Sequence, residues 1–335
     1  MNILADPRET PSTGFEDLVL SPGQIEELIL RDPATRNATS TLQPDTLAVC
    51  QKLFRQAGLA ALSAHCENDG WVQFSMTPAA GAHQKLYGAM RDLLASCGDD
   101  CALKNGFFMH KPPGVRLRLQ TALAATDALE GHIAKALQDW QAQGLITSQR
   151  RDIYEPETTL FGGKASMDFV HDLFSGDTEF WLEFHAKGAD RTRIMEVCLI
   201  LLRYIFAGLE IEDWEDLDVW DKVRSKTGRA FPAGLDLADD TVKAASDPVA
   251  WVWIEPGWAL AQLDPDLAKR TEIAGEALYT LARRWKTQCF DVGAASIGIR
   301  AAAALYTIFL FNRAGLSLER QVILAETLAT RKVLD

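Results

Sequence analysis

Residues 106–119 read Gly-Phe-Phe-Met-His-Lys-Pro-Pro-Gly-Val-Arg-Leu-Arg-Leu. Gly106 to Met109 begins a strand, Pro112-Pro113-Gly114 turns the chain, and Val115 to Leu119 alternates strictly between apolar and basic. A two-residue period puts Val115, Leu117 and Leu119 on one face of that strand and Arg116 and Arg118 on the other. Upstream, Trp71-Val72-Gln73-Phe74-Ser75-Met76 alternates as a strand, and His83 to Leu94 carries Leu86, Met90 and Leu94 at helical spacing. Downstream, Asp127 is placed to cap a helix that runs to about Gln143 and stops at Gly144, and Ile146 to Tyr154 reads as a fourth strand.

The order β-α-β-β-α-β is that of a split βαβ, ferredoxin-like layer, a one-sided sheet covered by two helices. After Gly162-Gly163 the pattern turns helical, near 164–174, 178–187, 191–208, 212–226, 238–246, 265–287, 294–311 and 317–331. Trp251-Val252-Trp253-Ile254 reads as a short extended piece. The class expected is therefore α+β, with residues 66–163 β-rich and 164–335 mostly helical. Residues 1–65 hold a loose arm and helical patterns at 22–31 and 44–63, and position alone suggests a part in recognising a peptide. The acid run from Glu210 to Asp221, interleaved with Trp214, Leu217 and Trp220, reads as a solvated helix face with an aromatic core edge.

The 335 residues carry a formal charge of −12, which argues against broad binding to nucleic acid or anionic membranes. Residues 1–19 contain four acids and no apolar stretch, so no secretory signal is expected. The apolar runs at 197–209, broken by Arg203, and at 301–311 fall short of the roughly 20 residues a membrane span needs. A cytoplasmic protein with reduced cysteines follows. Cys97 and Cys101 lack the second Cys or His pair that a zinc site requires, so no metal is expected. There is no G-x-x-x-x-G-K followed by Ser or Thr, and no G-x-S-x-G, so neither a P-loop nor a nucleophile elbow is indicated.

Three features could carry chemistry. Arg116 and Arg118 repel each other across one strand face unless they share an anion or each finds a salt bridge. In Tyr154-Glu155-Pro156-Glu157, Pro156 prevents a helix, and Gly162-Gly163 permits positive φ, so Glu157 sits on a constrained loop beyond a strand. Asn312-Arg313 closes a very apolar helix before Gly315, where an Arg either complements the macrodipole or faces a ligand.

Together, Gly106 to Leu119, Tyr154-Glu-Pro-Glu-Thr-Thr-Leu-Phe-Gly-Gly163, Asp168 through Asp177-Thr178, and Phe311-Asn-Arg-Ala-Gly-Leu316 resemble, in order, the C-terminal elimination domain of class I lantibiotic dehydratases. That family includes the thiopeptide-type bacteriocin biosynthesis proteins. The resemblance covers roughly residues 70–330 and implies action on a ribosomally made precursor peptide bearing a leader. Dehydratase-type members eliminate glutamate from glutamylated Ser or Thr. Stand-alone relatives instead join two dehydroalanines in a formal (4+2) cycloaddition, then lose water and leader to leave a pyridine ring.

Carried over residue by residue, the resemblance assigns the paired strand arginines to Arg116 and Arg118 and the loop carboxylate to Glu157. The elimination pattern has Arg-Tyr before Gly-Gly and a His shortly before Asn-Arg. This chain has Leu160-Phe161 and Ile308-Phe309-Leu310-Phe311 there. Elimination needs a base and cations for the departing glutamate, so these departures favour the cycloaddition type. On that scheme Arg116 and Arg118 bind a peptide carbonyl or carboxylate, with His110, Asn312 and Arg313 helping to position it. Tyr154, Glu157 and His171 move protons. No metal, nucleotide or flavin is required, and other enzymes of the same pathway are the expected partners. Glutamate elimination with a relocated base, at His171 or His110, is the first alternative. A non-catalytic peptide-binding subunit is the second.

Overall fold

The computed structural model describes residues 70–331, apart from 101–102, 113, 189–190, 213 and 233–239. The helical patterns expected at 22–31 and 44–63, and Cys101, lie outside the described residues. Strands β1 (Trp71–Pro78), β2 (Asn105–Lys111), β3 (Gly114–Gln120) and β4 (Ile146–Asp152) form a four-stranded sheet in the order β2-β3-β1-β4. Every neighbouring pair is antiparallel. Helix α1 (His83–Asp100) links β1 to β2, and α2 (Thr126–Ala142) links β3 to β4, which is the expected split βαβ order.

Register explains the first core. Val72, Phe74 and Met76 stand opposite Leu119, Leu117 and Val115, and all six are buried on one face. Beneath them α2 contributes Leu129, Ile133, Leu137 and Trp140, and α1 contributes Leu86, Met90 and Leu93. The N-cap of α2 is Ala125, so Asp127 does not cap the helix as expected. It lies in the first turn, where its charge still suits the dipole.

The sheet is not one-sided. Trp71, Gln73, Phe107, Arg118 and Gln120, on the opposite face, are also buried. Helix α3 (Lys164–Lys187) closes that side by packing along β2, an edge strand otherwise left with open backbone groups. Ser175 Oγ accepts a bond from the Gly106 amide at 3.1 Å. The sequence pattern suggested two helices here, but α3 is continuous through Gly176. A Cβ at that position would lie 2.7 Å from Leu281, so the glycine admits a neighbouring helix instead of ending its own.

The helical half continues through α4 (Ile194–Gly208), α5 (Glu215–Lys226), α6 (Asp240–Ile254), α7 (Pro256–Ala261), α8 (Pro265–Trp285), α9 (Ile299–Ala314) and α10 (Leu318–Thr330). Trp251 to Ile254, expected to be extended, forms the last turn of α6. Trp253 turns inward there, and its Nε1 donates to Asp216 at 2.5 Å. Asp216 is buried and also meets Arg331 and Arg203, so the acid run is not wholly a solvated face. Among the described residues no helix is long and apolar enough to cross a membrane.

Helices α4 and α8 touch backbone to backbone. A Cβ on Gly208 would lie 2.5 Å from the Tyr279 carbonyl oxygen, and one on Gly275 would lie 2.3 Å from the Tyr204 ring. Overpacking a well-filled core costs about 1–3 kcal/mol. Gly208→Val is therefore expected to lower stability to urea by at least about 2 kcal/mol. An unchanged unfolding midpoint would show that the two helices do not pack this closely.

Candidate functional site

On the second face of the sheet, Arg118 stands opposite Gln73 of β1 and Phe107 of β2, and Arg116 stands opposite Ser75 and Met109. Arg118 is only 5% exposed. Its Nε donates to Gln73 Oε1 at 2.7 Å, and Gln73 Nε2 donates in turn to the Ile153 carbonyl at 3.1 Å. Its guanidinium carbon lies 4.4 Å from the Tyr154 ring centre and 5.4 Å from that of Phe107. Burial pulls the Arg118 pKa below the usual arginine value, with the neighbouring Tyr154 and Glu157 opposing, yet arginine remains charged in proteins. Its Nη1 is buried with no hydrogen-bond partner among the described residues. An orphaned donor on a buried cation is costly unless something else accepts from it. Arg116 is nearer solvent and lines a cavity of about 480 Å³ beside Ser75 and Arg150.

Tyr154 follows β4, and its hydroxyl lies 2.8 Å from His171 Nε2, about two turns into α3. Trp71 packs against both rings, at 4.9 Å from Tyr154 and 4.5 Å from His171. Burial drives the Tyr154 phenol far above its ordinary pKa, with Arg118 offsetting only part of the effect. The phenol therefore stays protonated, and where it donates to Nε2, the neutral His171 ring carries its proton on Nδ1.

Glu157 lies on the turn beyond Tyr154, and its Oε2 is buried without a hydrogen-bond partner among the described residues. The loop is pinned downstream because Gly162 has φ +86° and the Ser296 amide donates to its carbonyl at 2.8 Å. A Cβ on Gly162 would meet Ile297 and Ser296 at about 3 Å, so only glycine fits this approach. Gly163 then begins α3 and aims His171 back toward Tyr154. The structure thus gathers Arg118, Tyr154, Glu157 and His171 on one sheet face.

Other expected site residues lie elsewhere. Arg313 is fully buried, and its Nε and Nη2 each meet Asp177 at 2.6 Å. Tyr306 and Phe174 enclose the pair, which makes Arg313 a cross-link between α3 and α9 rather than a cation offered to solvent. Burial pushes the Asp177 carboxyl upward, and Arg313 opposes that. His110 and Asn312 border a separate cavity, where His110 Nδ1 meets the Asn312 carbonyl at 2.8 Å. Sequence reasoning missed Trp71, Gln73 and Phe107. Alternation in β1 already placed Trp71 and Gln73 on one face, but only the register puts them beside Arg118.

A family model described as lantibiotic biosynthesis dehydratase, C-terminal, matches residues 71–333. Among solved structures, the tRNA-dependent lantibiotic dehydratase MibB from Microbispora sp. 107891 superposes with a TM-score of 0.57 at 21% identity. The match covers 77% of this chain and 28% of that one, so the chain spans little more than a quarter of that relative's length. TsrL gives a TM-score of 0.42 at 14% identity, covering 77% of this chain and 92% of that one. No curated protein matches the chain.

Removing one partner of a buried ion pair costs about 3–5 kcal/mol because the other charge stays buried. Asp177→Ala is expected to destabilise by that amount, and adding Arg313→Met should restore much of it. The check is urea unfolding of both variants; a single variant no weaker than the double would remove the cross-link from the account.

Proposed function

The chain belongs to the lantibiotic biosynthesis dehydratase C-terminal family, and from that premise we propose that it modifies a ribosomally made peptide by joining two dehydroalanines in a formal (4+2) cycloaddition. Loss of water and of the leader, as its C-terminal amide, then leaves a pyridine ring. The observation that carries this reading is the orphaned Nη1 of Arg118 beside the Tyr154–His171 hydrogen bond.

The reaction needs one dehydroalanine to present its amide as the imidic acid tautomer, with the other supplying the two-carbon partner. Arg118 holds the amide oxygen of the first in a site largely free of water, where a fixed donor counts for most. The proton lost from nitrogen and gained at oxygen is passed by neighbours with opposite capacities. Tyr154 keeps its proton, and His171, in contact with it through Nε2, is the group that can take one up. Glu157 stands as the second acceptor for the protons released on aromatisation. Orientation of the two ends supplies much of the rate.

Phe161, Phe174 and Phe309 favour this chemistry over elimination. Phe309 stacks on Phe174 at 5.2 Å and meets Phe161 at 5.5 Å in a tilted contact, so apolar rings fill the region where the elimination pattern has a tyrosine (at Phe161) and a histidine (within Ile308 to Phe311). Glutamate elimination is the second reading, favoured by the two arginines on one strand face, which suit a departing dicarboxylate. On either reading the partner is a precursor peptide, and other enzymes supply its dehydrated or glutamylated form.

Mass spectrometry of a leader-bearing peptide with two dehydroalanines is expected to show leader amide and an aromatic product. Glu157→Gln should lower the rate about 10²-fold or more, as loss of a general acid–base group does. Loss of glutamate from a glutamylated peptide, with the dehydroalanine peptide unchanged, would replace cycloaddition by elimination. Binding of both peptides without conversion of either would make the chain a scaffold.

A further inference from the structure

Strand register sets four side chains in a row across the second face of the sheet: Phe107 of β2, Arg118 of β3, Gln73 of β1 and Asp152 of β4. Gln73 therefore stands between a cation and a carboxylate. Asp152 turns away along its own edge, where it meets the Ser75 hydroxyl and the guanidinium of Arg150, the latter at 2.7 Å. On this side of the row Arg118 faces a neutral amide.

Gln73 is buried, so both ends of its amide need partners. A guanidinium only donates, so the carbonyl end has to face Arg118, and Arg118 Nε donates to Oε1 at 2.7 Å. That leaves the amino end in want of an acceptor, and Nε2 donates to the Ile153 carbonyl at 3.1 Å. Ile153 immediately precedes Tyr154, whose ring centre lies 4.4 Å from the Arg118 guanidinium carbon. One primary amide thus ties the buried cation to the backbone that presents Tyr154 and, three residues on, Glu157.

We propose that Gln73 is a positioning residue for the reaction: it fixes Arg118 and the start of the Tyr154 loop in one geometry while leaving the charge of Arg118 to the substrate. The inference rests on the peptide-modifying reading and adds a residue to it. A carboxylate in the same place would hold the guanidinium at least as firmly. It would also neutralise the charge, and it would set a second acceptor against the Ile153 carbonyl. An aliphatic side chain would deprive Arg118 Nε and the Ile153 carbonyl of their shared partner. Glutamine holds without neutralising.

The test uses nuclear magnetic resonance of the full chain with isotope-labelled arginine, where the Arg118 Nε–H signal is the one that Arg118→Lys removes. Gln73→Met should speed hydrogen exchange at that Nε at least about tenfold, whereas Gln73→Glu, which keeps an acceptor there, should leave it slow. On the peptide with two dehydroalanines, both variants should lose about tenfold or more in kcat with KM changed far less. Near-UV circular dichroism like that of the parent marks each variant as folded under the assay conditions. A merely structural glutamine predicts a different pattern, in which Gln73→Glu, with Arg118 still held, keeps the rate. Exchange unchanged by Gln73→Met, or a Gln73→Glu variant with the parent's kcat, would overturn the proposal. A parent chain that converts neither the dehydroalanine nor the glutamylated peptide contradicts the reaction and not the hold on Arg118, which the exchange rates decide without turnover.

Discussion

A guanidinium held out of water on a β-sheet face has to be offset by what surrounds it, and the second half of this fold is arranged around that constraint. Arg118 loses hydration because α3 and the loop from Tyr154 to Gly163 cover the sheet. Gln73 takes one of its donors and the faces of Tyr154 and Phe107 take part of its charge, which together offset desolvation only in part. What is left over is a donor with no acceptor among the described residues. Such a residue is a poor contributor to stability and a good one to binding.

The covering layer is itself held by a second buried charge. Asp177 and Arg313 join α3 to α9, with Tyr306 completing the network. That junction fixes the rotation of α3, and so the position of His171 against Tyr154. It also fixes the end of α9, whose last carbonyls are met by His110 and His185.

Much of the first layer was legible in the sequence because it depends on local periods. The turn at Pro112 to Gly114 and the alternation from Val115 to Leu119 fixed the strand faces, and the element order fixed the sheet. The burial of the second face was not legible, since Gln73 and Arg118 read as solvent-facing polar residues until α3 is placed over them. Gly176 looked like a break because its partner, Leu281, is remote in sequence. Arg313 looked like a helix-end charge for the same reason, its carboxylate lying 136 residues away. Arg118, Tyr154, Glu157 and His171 were singled out from motif and resemblance, but the contacts among them come only from the tertiary structure.

The most direct measurement is the steady-state rate of Arg118→Lys on a leader-bearing peptide with two dehydroalanines, compared with the parent chain. Lysine keeps the charge but not the planar fork that reaches Gln73 and the substrate oxygen together. A fall in kcat of about 10²-fold or more, with KM changed far less, is the result expected when a preorganised donor is lost. A lysine variant that keeps its kcat would contradict the central role given to the orphaned Arg118 donor.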